Sequence, residues 1–134
     1  MKKSAVQTLQ LAALLGGIAV VFGALGAHQL KKMVALPDLA IFEKGVQYQF
    51  YHVFALGLLA FLQNKLPASS ALSWTKWLWV AGIAGFSGSL YLLSVRSLLP
   101  FSVAWVGPIT PLGGLCFIAG WVMFARSAKT NVSL

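Results

Sequence analysis

The spacing of its charges constrains this chain more than any other feature. Uncharged stretches run from Ser4 to Leu30, Gly45 to Asn64, Trp77 to Val95 and Ser97 to Ala125, and hold 27, 20, 19 and 29 residues. A helix crosses a bilayer with about 20 apolar residues, each rising about 1.5 Å. All four stretches are long enough. Membrane strands need only about 10 residues and alternate apolar with polar positions. No such alternation occurs here. The fold expected is therefore all-α: a polytopic membrane protein with four transmembrane helices in a compact bundle. One four-helix domain covers 1–134, with spans at about 5–27, 38–63, 74–95 and 103–126.

Composition agrees. Hydrophobic residues make up 59% of the chain and charged ones 9%, against about 25% charged in an average soluble domain. That excludes a soluble globular domain and a disordered chain. The single cysteine, Cys116, excludes a disulfide framework and a cysteine metal cluster. It reads as a small packing residue. The apolar run after Lys2 and Lys3 is too long for a signal-peptide core, so the first span is expected to be retained. Pro37 and Asp38 suit the start of the second helix, whose Leu39, Phe42 and Val46 lie at helical spacing in an interfacial segment. Pro67, Ala68, Ser69 and Ser70 mark a loop. Ser73 and Ser102 are the expected caps of the third and fourth helices.

Four spans put both ends on one side. That side carries Lys2, Lys3, Lys65, Lys76, Arg126 and Lys129; the other carries Lys31, Lys32, Lys44 and Arg96. The richer side faces the cytoplasm, so both termini are expected inside a bacterial plasma (inner) membrane. Trp74, Trp77, Trp79 and Trp121 then form an aromatic belt at the inner interface. The net charge of +8 is scattered over span ends, where it meets lipid head groups. No basic patch of the nucleic-acid kind is present. The expected partners are the lipid bilayer and a homo-oligomer or another membrane protein.

Gly17-Ile18-Ala19 with Gly23 and Leu25 recurs as Gly82-Ile83-Ala84 with Gly88 and Leu90. Two readings stand: an internal duplication placing the first and third helices symmetrically, or the small residues common in packed membrane helices. Ala19, Gly23 and Ala27 on the first helix, and Ala81, Gly85 and Ser89 on the third, are expected packing stripes.

The second helix places Tyr48, Gln49 and His52 within one arc, and Glu43, Gln47 and Tyr51 on a second polar face. The third aligns Ser87, Tyr91 and Ser94. His28 ends the first helix and Thr110 opens the fourth. The alternating directions of the spans put all of these in the outer half of the bundle, with His52 about 10 Å deep. The inner half reads as mostly apolar. Polar groups in hydrocarbon are costly unless paired, and paired ones average only about 0.6 kcal/mol. The cluster is therefore either a ligand pocket or a zip between helices. The segment from Gly107 to Gly114, with Pro108 and Pro111, is either a broken helix offering carbonyls or a late start with Thr110 as cap and Pro111 at the first position.

These residues carry a resemblance. Gly23 to His28, Phe42 to His52, Gly82 to Tyr91 and Ile109 to Gly114 with Gly120-Trp121 are similar to the YgdD/YwdK-like family of small membrane proteins, catalogued as domain of unknown function 423. Its members often have Thr where this chain has Lys44. The resemblance implies a four-span plasma-membrane protein and no particular activity.

Two functions compete. In one, His52, Gln49, Tyr48, Ser87, Tyr91, Thr110, His28 and Glu43 bind or transport a small polar molecule, a proton or a lipid head group. In the other, the chain is a structural or assembly partner of other membrane proteins, with no ligand of its own. No cofactor, metal or enzymatic activity is expected. Haem between His28 and His52 is disfavoured by their different depths. A hydrolase built on Ser87 and His52 lacks an orienting acid, because Asp38 and Glu43 sit near the interface.

Overall fold

The computed structural model describes residues 1–130. Helix α1 is Lys3–His28, α2 is Leu36–Lys65, α3 is Ser70–Ser94 and α4 is Ile109–Thr130. Each lies in a segment long and apolar enough to cross a membrane. No strand occurs among the described residues. Short 3-10 turns at Leu30–Lys32, Arg96–Leu98 and Ala104–Val106 join the helices.

The helix ends obey their local chemistry. Pro37 and Asp38 occupy the first turn of α2, where a missing N–H costs nothing and a carboxylate meets the positive end of the helix dipole. Ser69, not Ser73, caps α3: its hydroxyl accepts from the Leu72 N–H at 3.3 Å. The helix therefore starts at Ser70, four residues early, and encloses Lys76. Ser102 caps the 3-10 turn instead of α4, accepting from the Ala104 N–H at 3.3 Å. Helix α4 starts late, at Ile109, with Pro108 just outside and Pro111 in its first turn. Neither proline removes a donor that an intact helix would use. Thr110 is not the cap, because it lies inside the helix.

The packing has a repeat of three and four residues. Buried positions on α2 include Phe42, Gly45, Gln49, His52, Leu56, Leu59 and Gln63. On α1 they are Ala5, Thr8, Ala12, Ala19 and Gly26. Buried Val103, Val106, Gly113, Phe117, Gly120 and Ser127 keep the same spacing through the start of α4. This is the spacing of a left-handed helical bundle. It moves the α1 stripe from the expected Ala27, which is exposed, to Gly26.

Helix α1 lies along α2, and the first half of α3 lies along α4. Ile83–Ser87 of α3 is a π turn. The extra residue rotates the remainder of the helix by about 100°, and Gly88–Ser94 then packs on α2. The expected α3 stripe is displaced already ahead of this turn: Ala81 is exposed and Gly82 is buried. The displacement also separates the two halves of the proposed duplication. Gly17 faces open space whereas a Cβ on Gly82 would overlap the Phe117 ring, and Ala19 is buried where Ala84 is exposed.

Two apolar clusters fill the seams. One gathers Leu56, Leu59, Leu72, Trp79, Ile83 and Phe117; the other gathers Leu30, Leu39 and Phe42 at the opposite end. Trp79 is thus a core residue at 0% exposure, not part of a belt, whereas Trp74 and Trp77 are exposed as the belt requires.

Candidate functional site: a buried polar seam

The polar face of α2 points inward because it coincides with the packing repeat. Gln49 and His52 are 2% and 4% exposed, so each polar atom there needs a partner. Gln49 finds two, on two helices. Its amide N–H donates to the Leu15 carbonyl of α1 at 2.7 Å, and its carbonyl accepts from the Tyr91 hydroxyl of α3 at 2.7 Å. Tyr91 in turn packs its ring on Phe22 and Phe42, with centroids 4.7 and 5.0 Å away.

His52 is equally committed. Its Nδ1 lies 2.8 Å from the Tyr48 carbonyl, and its Nε2 lies 3.2 Å from the Trp121 indole nitrogen. A carbonyl only accepts and an indole only donates. The ring is therefore neutral, with its proton on Nδ1. It stacks on Phe117 at 3.5 Å with planes 9° apart. Binding a metal or a second proton would break the Trp121 bond.

The remaining predicted residues fall into three settings. Ser87 is buried and donates to the Gly45 carbonyl at 2.7 Å, tying α3 to α2. Thr110 meets Ser89 hydroxyl to hydroxyl at 2.7 Å, tying α3 to α4. Tyr48 is half-buried and packs on Phe86, with centroids 4.8 Å apart. Glu43 and His28 are exposed and lie outside the seam. The second polar face of α2 is also exposed; there Lys44 donates to Gln47 at 3.1 Å, and Gln47 to Tyr51 at 2.6 Å.

Ser87, Tyr91, Ser94 and Thr110 keep to the halves of their helices away from the N-terminus. Helix α2 has 30 residues, so Gln49 and His52 sit near its middle. The polar seam also continues to the end that carries the N-terminus. Buried Thr8 donates to Gln63 at 2.6 Å, and Gln63 to the Leu72 carbonyl at 3.4 Å. At the opposite end, Arg96 holds Asp38 at 2.8 Å. Sequence reasoning missed these pairs, although the heptad spacing of Phe42, Gln49, Leu56 and Gln63 carries the signal. Opposite charges at facing helix ends carry it for Asp38 and Arg96.

The grooves on the surface lie elsewhere. They are walled by Leu14 and Val21, by Trp74 and Val122, by Arg96 and Phe101, and by Gln7 and Lys76. Gln49, His52, Ser87 and Tyr91 line none of these.

Comparison with known proteins adds the family context. Residues 22–114 match the model of the family described as Protein of unknown function (DUF423). The membrane protein YwdK of Bacillus subtilis is 42% identical over 83% of this chain and 86% of its own length. A membrane protein of Haemophilus influenzae is 36% identical over 94% of this chain and 96% of its own. The inner membrane protein YgdD of Escherichia coli is 35% identical over 87% of this chain and 85% of its own. No solved structure matches.

Proposed function

The chain belongs to the DUF423 family of membrane proteins, and we propose that it serves as a structural or assembly partner of other membrane proteins, without catalysis. One observation carries this reading. The predicted polar groups of the seam are satisfied within the bundle: Gln49 by Leu15 and Tyr91, His52 by Trp121 and by Tyr48 of its own helix, Ser87 by Gly45; among the described residues the Trp79 indole N–H is the buried side-chain group left unpaired. A ligand site keeps donors and acceptors pointed at an empty space; these point at protein. What the bundle offers outward is apolar. Phe54 and Phe61 on α2, and Leu112, Leu115 and Ile118 on α4, are all more than half exposed. By its family and its four spans it is an integral membrane protein. We place it in the inner membrane with both termini cytoplasmic, from the six-to-four distribution of basic residues over its two ends.

Photo-crosslinking in native membranes tests the assembly role. A photoreactive residue at Phe54 or Leu115 is expected to give one discrete protein adduct. Labelling of lipid alone at both positions, together with substrate flux in reconstituted vesicles, would overturn the reading and favour the seam as a transport site.

A further inference from the structure

Lys76 is the charged exception to the seam's self-sufficiency. It lies inside α3 at 5% exposure, yet has no hydrogen-bond or ion-pair partner among the described residues. Its ammonium stands 4.5 Å above the Trp77 ring. The chain's two acidic side chains cannot serve it: Asp38 is held by Arg96 at the opposite end of the bundle, and Glu43 lies little further along the same helix. Its stem is buried while its nitrogen is not among the sealed polar atoms, so the charge is open to a partner from outside the chain.

The ammonium borders a groove of about 340 Å³ between α1 and α3, walled by Gln7, Gln10, Leu11, Leu14, Lys76 and Trp77. Gln7 and Gln10 share a helix face with Lys3 and Leu14. Their amides and the ammonium lie about 6 to 10 Å along their helices from the ends that share a side with the N-terminus. That is just beneath the head-group layer of a bilayer. The far wall, Leu11, Leu14 and Trp77, is apolar. The groove is therefore cationic and hydrogen-bonding at its mouth and greasy along its length.

We infer that this groove binds an anionic glycerophospholipid, its phosphoryl group held by Lys76, Gln7 and Gln10 and an acyl chain lying along Leu11 and Leu14. The phosphoryl oxygens supply the counter-charge that the chain lacks, and the amides supply neutral donors. Basic pockets between membrane helices take anionic head groups in this way. The apolar wall selects a lipid over free phosphate, which would leave that wall without a partner.

The test is a thermal-shift titration of the purified full chain in mild detergent. The probes are phosphatidylglycerol, phosphatidylcholine and sodium phosphate. Phosphatidylglycerol is expected to raise the melting temperature of the wild type and of Lys65→Met, a control at the same end of the bundle. In Lys76→Met the apparent affinity for phosphatidylglycerol is expected to fall about tenfold, the loss of one charge-assisted contact. Equal shifts with phosphatidylcholine, or an undiminished shift in Lys76→Met, would overturn the inference. So would a full response to sodium phosphate alone, which would assign the site to the free anion. Should Lys76→Met fail to fold, Gln7→Leu/Gln10→Leu repeats the comparison: a lost shift supports the site and a retained one removes it.

Discussion

Helix α3 meets its two neighbours in different ways. Against α2 it uses polar side chains: Ser87 reaches the Gly45 carbonyl, and Tyr91 reaches Gln49. Against α4, apart from the Ser89–Thr110 hydroxyl pair, it uses the absence of side chains. A Cβ on Gly113 would overlap the Phe86 backbone nitrogen and stand 2.6 Å from the Gly85 carbonyl carbon, and one on Gly85 would stand 3.1 Å from the Gly113 Cα. In lipid, hydrophobic burial does not drive helices together, so association rests on close packing and interhelical hydrogen bonds. The contrast separates these two terms within one molecule. A clash with backbone cannot relax by rotating a side chain, whereas a lost membrane hydrogen bond costs on average about 0.6 kcal/mol and at most about 1.7. The glycine seam should therefore carry the stability, and the polar seam the register.

The largest effect is expected at Gly113. Gly113→Val forces α3 and α4 apart and should cost about 3 kcal/mol or more, seen as a large drop in melting temperature or loss of folded protein in detergent. A variant melting with the wild type would remove the distinction between the seams. Gln49→Leu comes next, at about 1–2 kcal/mol, because it strands the Tyr91 hydroxyl in a buried site. Pairing it with Tyr91→Phe should recover part of that loss, and a double-mutant cycle without coupling would show the bond to be idle. His52→Leu is smaller, about 1 kcal/mol, since leucine still fills space against Phe117 while the Trp121 bond is lost. A raised melting temperature would mean His52 is kept against stability, as groups in functional sites often are. That result would revive the pocket reading.

Much of this architecture was legible in the sequence. The charge-free stretches located the helices because hydrocarbon tolerates little else, and the arc holding Tyr48, Gln49 and His52 marked a face of α2 that turns inward, though not the partners it meets there. Three things were hidden. The π turn at Ile83–Ser87 has no sequence signature, and its extra residue turns Gly88–Ser94 toward α2. The start of α3 was set by the choice between Ser69 and Ser73, both able caps, and that choice decides whether Lys76 lies at a span end or within a helix. The reach of the seam was hidden as well: Thr8 and Gln63 pair near the N-terminal end of the bundle, in a half that reads as mostly apolar. In the first two cases the sequence specified chemistry and left register open, and a shift of one to four residues changed the neighbour.

The smallest effect is expected on the outer face of α2, and it bears most directly on assembly. Tyr51 is 52% exposed and accepts from Gln47 at 2.6 Å. Tyr51→Phe removes that bond from a surface and should shift stability by no more than about 0.5 kcal/mol; Glu43→Gln should do the same. Of the seam, Tyr51 meets only the Tyr48 ring, with centroids 5.7 Å apart, and Glu43 lies outside the seam, so neither should alter the coupling between Gln49 and Tyr91. If Tyr51→Phe in the purified protein cost as much as Gln49→Leu, its hydroxyl would have to be shielded by something outside the four helices. A second copy bound there would make the cost depend on protein concentration, and dilution would separate that case from a bound lipid. A neutral result leaves this face free for a partner that purification removes, which the crosslink at nearby Phe54 would then identify.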